Sequence, residues 1–222
     1  MLFRSRTLTR SLIDPTLPIT VELDTSELQK IQTMFPHMAK AVRQAYIKAL
    51  RRAAKSGEVF AARRYRESYS TVPMWLLRRK YIWSRIKAAG ESLNEIGGIL
   101  QIKGKGVLLE YFGAKKSAKG VSWAAKGGTR REISRGFFWN VFAKSNRTPH
   151  WFRRTGEAVA ARKRFPLEFL WGPSPYSVFK EQEPRDELQA HIQDRLNVEI
   201  GGALGFYMEK AVKDALKGIA NS

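Results

Sequence analysis

Residues 186–218 read DELQAHIQDRLNVEIGGALGFYMEKAVKDALKG, and this stretch decides the helical half of the fold. Leu188, Ile192, Leu196, Ile200, Leu204, Met208, Val212 and Leu216 recur every four residues, the spacing of neighbours along one face of a helix. Asp186 and Glu187 stand where the positive end of a helix favours carboxylates, and Lys213 and Lys217 where the negative end favours cations. A helix turns once in about 3.6 residues, so a stripe of strict fours slants across it. Gly201, Gly202 and Gly205 fall inside the stripe, and each costs about 1 kcal/mol against Ala in a helix interior. The expectation is that the helix bends there or receives another backbone closely. Residues 185–222 thus form a C-terminal amphipathic helix, packed on a domain of residues 1–184 or on a neighbour.

Outward from this helix the period changes. LPITVEL alternates Leu17, Ile19, Val21 and Leu23 with polar positions, a half-buried strand. Asp24 and Glu27 then make a capping box for a long helix through Leu28, Ile31, Phe35, Met38, Val42, Ala45, Ala49 and Ala53, ending near Gly57. Pro36 predicts a kink or a break. Pro73 opens a two-turn helix to about Lys80, and the aromatic, β-branched run YIWSRI from Tyr81 predicts a strand. Further strands are expected at EIGGILQI, with a bulge at Gly97 and Gly98 and a turn at KGKG, and at VLLEYFG. GVSWAA and FFWNVF read as strands bracketing a KGGTRREISRG loop, and FPLEFLWG as a last strand stopped by the prolines of PSPYSVF. The fold class is α+β: a mostly antiparallel sheet or sandwich with a long N-terminal and a long C-terminal helix.

The 222 residues include 40 Lys or Arg and 20 Asp or Glu, a net charge of +20, with 43% hydrophobic and 11% aromatic residues. That much apolar material supports a folded core rather than a basic tail. The charge is not spread evenly. Residues 40–87 carry a net +12 and residues 103–164 a net +13, while residues 1–39 are neutral and residues 185–222 sum to −1. Blocks of one sign ask for a polyanionic neighbour, most commonly nucleic acid.

Without cysteine there is no thiolate chemistry, disulfide or Cys-based metal site. No apolar run approaches the roughly 20 residues that span a bilayer, and the N-terminus has no signal-peptide pattern, so a soluble chain without membrane partners is expected. His37, His150 and His191 lie far apart, at no metal-ligand spacing. KGKGV and KGGTRR fall short of the phosphate-loop patterns. Asp186, Glu187, Asp194 and Glu199 fit the polar face of a helix better than a Mg²⁺ site. The expectation is therefore no enzyme, with no catalytic residue, metal or cofactor. The six tryptophans, Trp75, Trp83, Trp123, Trp139, Trp151 and Trp171, sit mostly in apolar strand patterns and are expected in the core. Trp123 and Trp151, flanked by basic loops, are the exceptions that would stack on bases.

The order YFGAKKSAKGVSWAAKGGTRREISRGFF, HWFRRTG, FPLEFLWGPSPYSVF resembles the minor tail protein Z family, the tail completion proteins of long-tailed phages and prophages. The matching positions are Phe112, Gly113, Ala114, Lys115, Gly120, Val121, Ser122, Gly127, Gly128, Phe137, Phe138, Phe152, Arg153, Arg154, Thr155, Gly156, Pro166, Leu167, Leu170, Gly172, Pro173 and Ser174. Upstream, AVRQAYIKALRRAAKSGEVFAARRY and VPMWLLRRKY are similar to the family's Ala-rich basic helix and second short helix, so the resemblance spans roughly residues 40–180.

The resemblance implies a virion component with a tail-completion or terminator-like fold. It would form a ring of copies, sixfold like such tubes, at the head-proximal end of the tail, and would be found in the host cytoplasm during assembly. Its implied partners are a tail-terminator or tail-tube protein, a head connector protein, and the double-stranded DNA passing through the lumen. Lys115, Lys116, Lys119, Lys126, Arg130, Arg131, Arg135, Arg153 and Arg154 are then candidates for the channel lining or for docking on an acidic protein rim. Leu188, Ile192, Leu196, Ile200, Leu204 and Met208 are candidates for the assembly interface, since an apolar stripe left bare is a liability. The alternative is a basic nucleic-acid-binding module outside any virion. A Mg²⁺-dependent nuclease would rest on charge alone.

Overall fold

In a computed structural model of the chain, the residues described are 39–88, 96–139, 150–154 and 167–220. The expected strand at 17–23, the capping box at Asp24 and Glu27, and the break at Pro36 lie outside them.

The fold is α+β, mixing helices with antiparallel sheet and placing a long helix towards each end. Helix α1 spans Ala39–Ser68 and α2 Met74–Lys80. Strands follow at β1 Ile82–Ala88, β2 Ile96–Ile102, β3 Lys115–Ser117, β4 Gly120–Ala124, β5 Arg130–Ser134, β6 Gly136–Trp139, β7 His150–Arg154 and β8 Leu167–Phe169. A one-turn helix α3, Pro175–Val178, leads into α4, Gln182–Ala220. The strands make three small antiparallel sheets, β1–β2, β3–β4–β5 and β6–β7–β8, in place of one sandwich.

Helices α1 and α4 form the spine, running antiparallel as Arg64 meets Glu187, Ser56 meets His191 and Arg52 meets Glu199. The facing side of α1 is lined with small residues, Ala45, Ala49, Ala53, Ala61 and Ala62, between buried Tyr46, Leu50 and Tyr65. Small residues let helix axes approach closely. α1 does not stop at Gly57 but runs eleven residues further, to Ser68. A Cβ at Gly57 would stand 2.7 Å from both Cγ1 and Cδ1 of Ile192, so this glycine marks close helix packing rather than a helix end. Inside α4, in contrast, a Cβ at Gly201, Gly202 or Gly205 would meet nothing within 4 Å. Among the described residues no other backbone approaches there, and α4 continues through all three glycines.

Sheet β1–β2 lies on α1 through Ile82, Ile96, Leu100 and Ile102. Its register runs one to one from Ile82↔Ile102 to Ala88↔Ile96, so Gly97 and Gly98 form no bulge. At Gly98 a Cβ would sit 3.3 Å from side-chain atoms of Ile86 and Leu50, and a bare backbone is what lets the strand lie close over α1. Buried Glu58 fixes the joint. Its Oε1 accepts from the Ser84 amide at 2.9 Å and hydroxyl at 2.7 Å, and its Oε2 takes the Lys55 ammonium at 2.7 Å.

Two further expectations are corrected. VLLEYFG is not a strand: Leu108 makes a single antiparallel bridge to Trp171, and Leu109–Phe112 wind into a 3-10 turn closed by Gly113 at φ 60°. Leu109 and Phe112, three apart, eclipse on one side of such a turn, and both are fully buried. The KGGTRREISRG segment is not an open loop either. Gly127 and Gly128 take φ values of 70° and 79°, the positive values that tight hairpin turns demand, and residues 130–134 return as β5 against β4.

Candidate functional site

The sheet β3–β4–β5 holds most of the candidate cations. Cross-strand partners share a face, so Lys116, Val121 and Ile133 point one way with Trp123 and Arg131, while Lys115, Ser122 and Glu132 point the other way with Ala124 and Arg130. Val121 is fully buried, so the first face looks inward. An aromatic chain ties it to the end of α1: Tyr65 to Tyr69 at 5.0 Å, Tyr69 to Phe112 at 5.6 Å, and Phe112 to Trp123 at 5.5 Å between ring centroids. Lys126 sits in the turn at one end of the sheet. Lys119 and Arg135 sit at the other, where the Arg135 amide donates to Lys119 O at 3.0 Å and Arg135 itself takes φ 59°.

All nine candidate cations are exposed, but they are not equivalent. Arg130 is held by the fold: its guanidinium donates to Ser122 O at 3.0 Å, Ser122 Oγ at 2.9 Å and Gly113 O at 3.2 Å. Arg153 pairs across strands with Glu168. Lys115, Lys116, Lys119, Lys126, Arg131, Arg135 and Arg154 make no ion pair among the described residues. Arg131 lies near enough to Tyr69 to oppose, through its charge, the rise that burial imposes on that phenol.

The apolar stripe of α4 is mostly spent within the chain. Leu188, Ile192 and Leu196 are buried against α1, and Ile200 and Leu204 pack partly on the same core, with Met208 half-buried. The core-facing track follows the true helical period from Leu196 to Ala203, with Leu204 and Tyr207 packed partly on either side of it. Among the described residues, the large apolar side chains that α4 leaves exposed are Val198, Phe206 and Val212. The tryptophans also differ from expectation. Trp151 is buried and Trp123 packs on Phe112, whereas Trp75 and Trp171 are exposed, 57% and 41%. Lys105 stands 4.6 Å over the Trp171 ring.

Two histidine sites had no signal in the sequence, because their partners lie 40 and 135 residues away. His150 Nδ1 lies 3.0 Å from both carboxylate oxygens of Glu110. Burial raises the Glu110 carboxyl above its ordinary range, against the pull of His150. His191 Nε2 lies 2.9 Å from Ser56 Oγ, its ring stacked 4.5 Å from that of Phe60. Burial, then the Arg195 charge, lowers its pKa. Neither pair forms part of a larger chemical constellation: among the described residues no three His, Cys, Asp or Glu are grouped to hold a metal. No described helix is long and apolar enough to cross a membrane.

Compared with protein-family models, with curated proteins and with solved structures, the chain matches none.

Proposed function

We propose that this chain is a structural virion protein that completes the head-proximal end of a phage tail tube. Copies form a ring, sixfold by the resemblance, between the tail-tube or terminator protein and the head connector, around the passing DNA. The observation that carries this reading is the set of exposed cations without ion pairs spread around the rim of sheet β3–β4–β5, inside the stretch that resembles the family. Lysines and arginines on short strands and turns suit phosphate contacts that need no base readout. They equally suit an acidic protein rim.

Replacing Lys119, Lys126 and Arg131 together with Glu tests it. The expected result is normal folding and tail length with reduced infectivity or genome retention. Particles of normal infectivity would overturn the role given to these cations. A protein that stays monomeric with tube and connector proteins, yet binds duplex DNA tightly at physiological salt, would be the non-virion module instead.

A further inference from the structure

Charge is unequal along the α1–α4 spine. Near the start of α1, Gln44, Ile47, Lys48, Arg51 and Arg52 join Tyr207 of α4 around an open depression of about 480 Å³. The Lys48 ammonium stands 4.6 Å from the Phe206 ring centroid and 5.3 Å from that of Tyr207. Of its three cations only Arg52 has a carboxylate among the described residues, Glu199 at 2.8 Å. Phe206 is 54% exposed beside it. The surface is thus cationic and apolar at once, which favours a protein partner over a nucleic acid backbone.

The start of α4 has the opposite character. Glu181, Glu183 and Asp186 are exposed and make no ion pair among the described residues; they outnumber the cations beside them, exposed Lys180 and half-buried Arg185, whose guanidinium donates to Phe179 O at 3.3 Å. Glu183 and Tyr207 lie on one continuous helix, 24 residues apart, or about 36 Å at 1.5 Å per residue. The acidic turn therefore cannot fold back onto the basin of its own chain. We propose that the two surfaces are the halves of one contact between copies: the acidic turn at Glu181–Asp186 of one copy seats over Lys48, Arg51 and Phe206 of another. Such a contact joins unlike surfaces, so it builds a ring where the rotation between copies closes, an open filament where it does not or, made twice, an antiparallel dimer. It deepens the ring proposed above and rests on that reading only for what the oligomer does.

Sedimentation of the full chain over a range of concentration and salt tests this. Wild type should self-associate, more weakly as salt screens the charges. K48E/R51E and E183K/D186K should each lower the association constant about tenfold or more, with unchanged helical circular dichroism and melting. An equimolar mixture of the two variants should associate again, because both contacts then regain opposite charges. A monomeric wild type, an oligomer indifferent to both reversals, or a mixture that stays dissociated would overturn the contact. So would K48E/R51E abolishing DNA binding while association is intact, which would make nucleic acid the occupant. An indifferent oligomer leaves the ring standing with another interface; a chain monomeric even with tube and connector proteins removes the ring too.

Discussion

Gly57→Ala isolates the contact on which the spine depends. In an exposed helix the substitution would stabilise by about 1 kcal/mol, since Ala is the better helix former. Here the added Cβ would lie 2.7 Å from two carbons of Ile192, well inside the 3.5–4.0 Å at which carbons attract. Overpacking of this kind costs about 1–3 kcal/mol. The two effects oppose, so the expected net result in wild type is a loss of about 1 kcal/mol, seen as a fall in Tm of about 2–4 °C for a domain of this size. The decisive measurement is a double-mutant cycle by urea unfolding. Ile192→Ala alone should cost about 2–5 kcal/mol for its cavity. In that background Gly57→Ala should turn stabilising by about 1 kcal/mol, because the clashing atoms are gone. A Gly57→Ala effect of the same sign and size in both backgrounds would refute the packing of α4 on α1 at this point.

Leu196→Asp, which puts a charge into the α1–α4 core, should unfold the chain or cost more than about 4 kcal/mol, whereas Val198→Asp, at a position 65% exposed, should change the urea midpoint little; equal tolerance of both would show that Leu196 faces outward. His191 gives a pH dependence. Its folded pKa lies below the ordinary 6.5 through burial and the charges of Arg195 and Arg63, with Asp194 opposing them, so just below pH 6.5 the unfolded chain binds the proton that the folded chain refuses. Stability should therefore fall as pH drops below 6.5, and unfolding midpoints of His191→Gln should fall less over that window; parallel profiles would remove His191 as the cause.

Where a residue's neighbours lie within a few positions, the fold was legible. Pro73 and the run after it gave α2, though Pro73 stands at the N-cap rather than the first helical position, and the periodicity of residues 188–216 gave α4. The α+β class followed from helical ends and β-rich middle. Glycine misled, because its sequence appearance does not say which freedom is used. Gly57 serves close packing, Gly98 a strand lying over a helix, and Gly127 with Gly128 a positive-φ turn. The candidate site was legible as charge but not as geometry. That Arg130 spends its guanidinium on Gly113 and Ser122 depends on a hairpin register, and the Glu110–His150 pair on two elements 40 residues apart.

The way the fold spends its cations bears on how it can hold a polyanion. Within the first basic block Lys55 and Arg64 pair with Glu58 and Glu67, which the net +12 already counts, while Arg52 with Glu199 and Arg64 with Glu187 set part of that +12 against carboxylates of α4. On the sheet the cations without ion pairs are dispersed, Lys115 on one face, Lys116 and Arg131 on the other, Lys126 at one end, Lys119 and Arg135 at the opposite end. A single duplex laid against this sheet reaches only a subset, about two or three phosphate contacts, for which log K would fall by about 2–3 per tenfold rise in salt. Contacts that few hold DNA weakly from one copy. In the ring proposed above, repetition would add such contacts through avidity, giving a passing genome grip without tight capture. A steep salt slope from an isolated monomer that disappears when the sheet cations Lys115, Lys116, Lys119, Lys126, Arg131 and Arg135 alone are neutralised would contradict this reasoning, because it would require cations that the hairpin geometry points apart to converge on one surface.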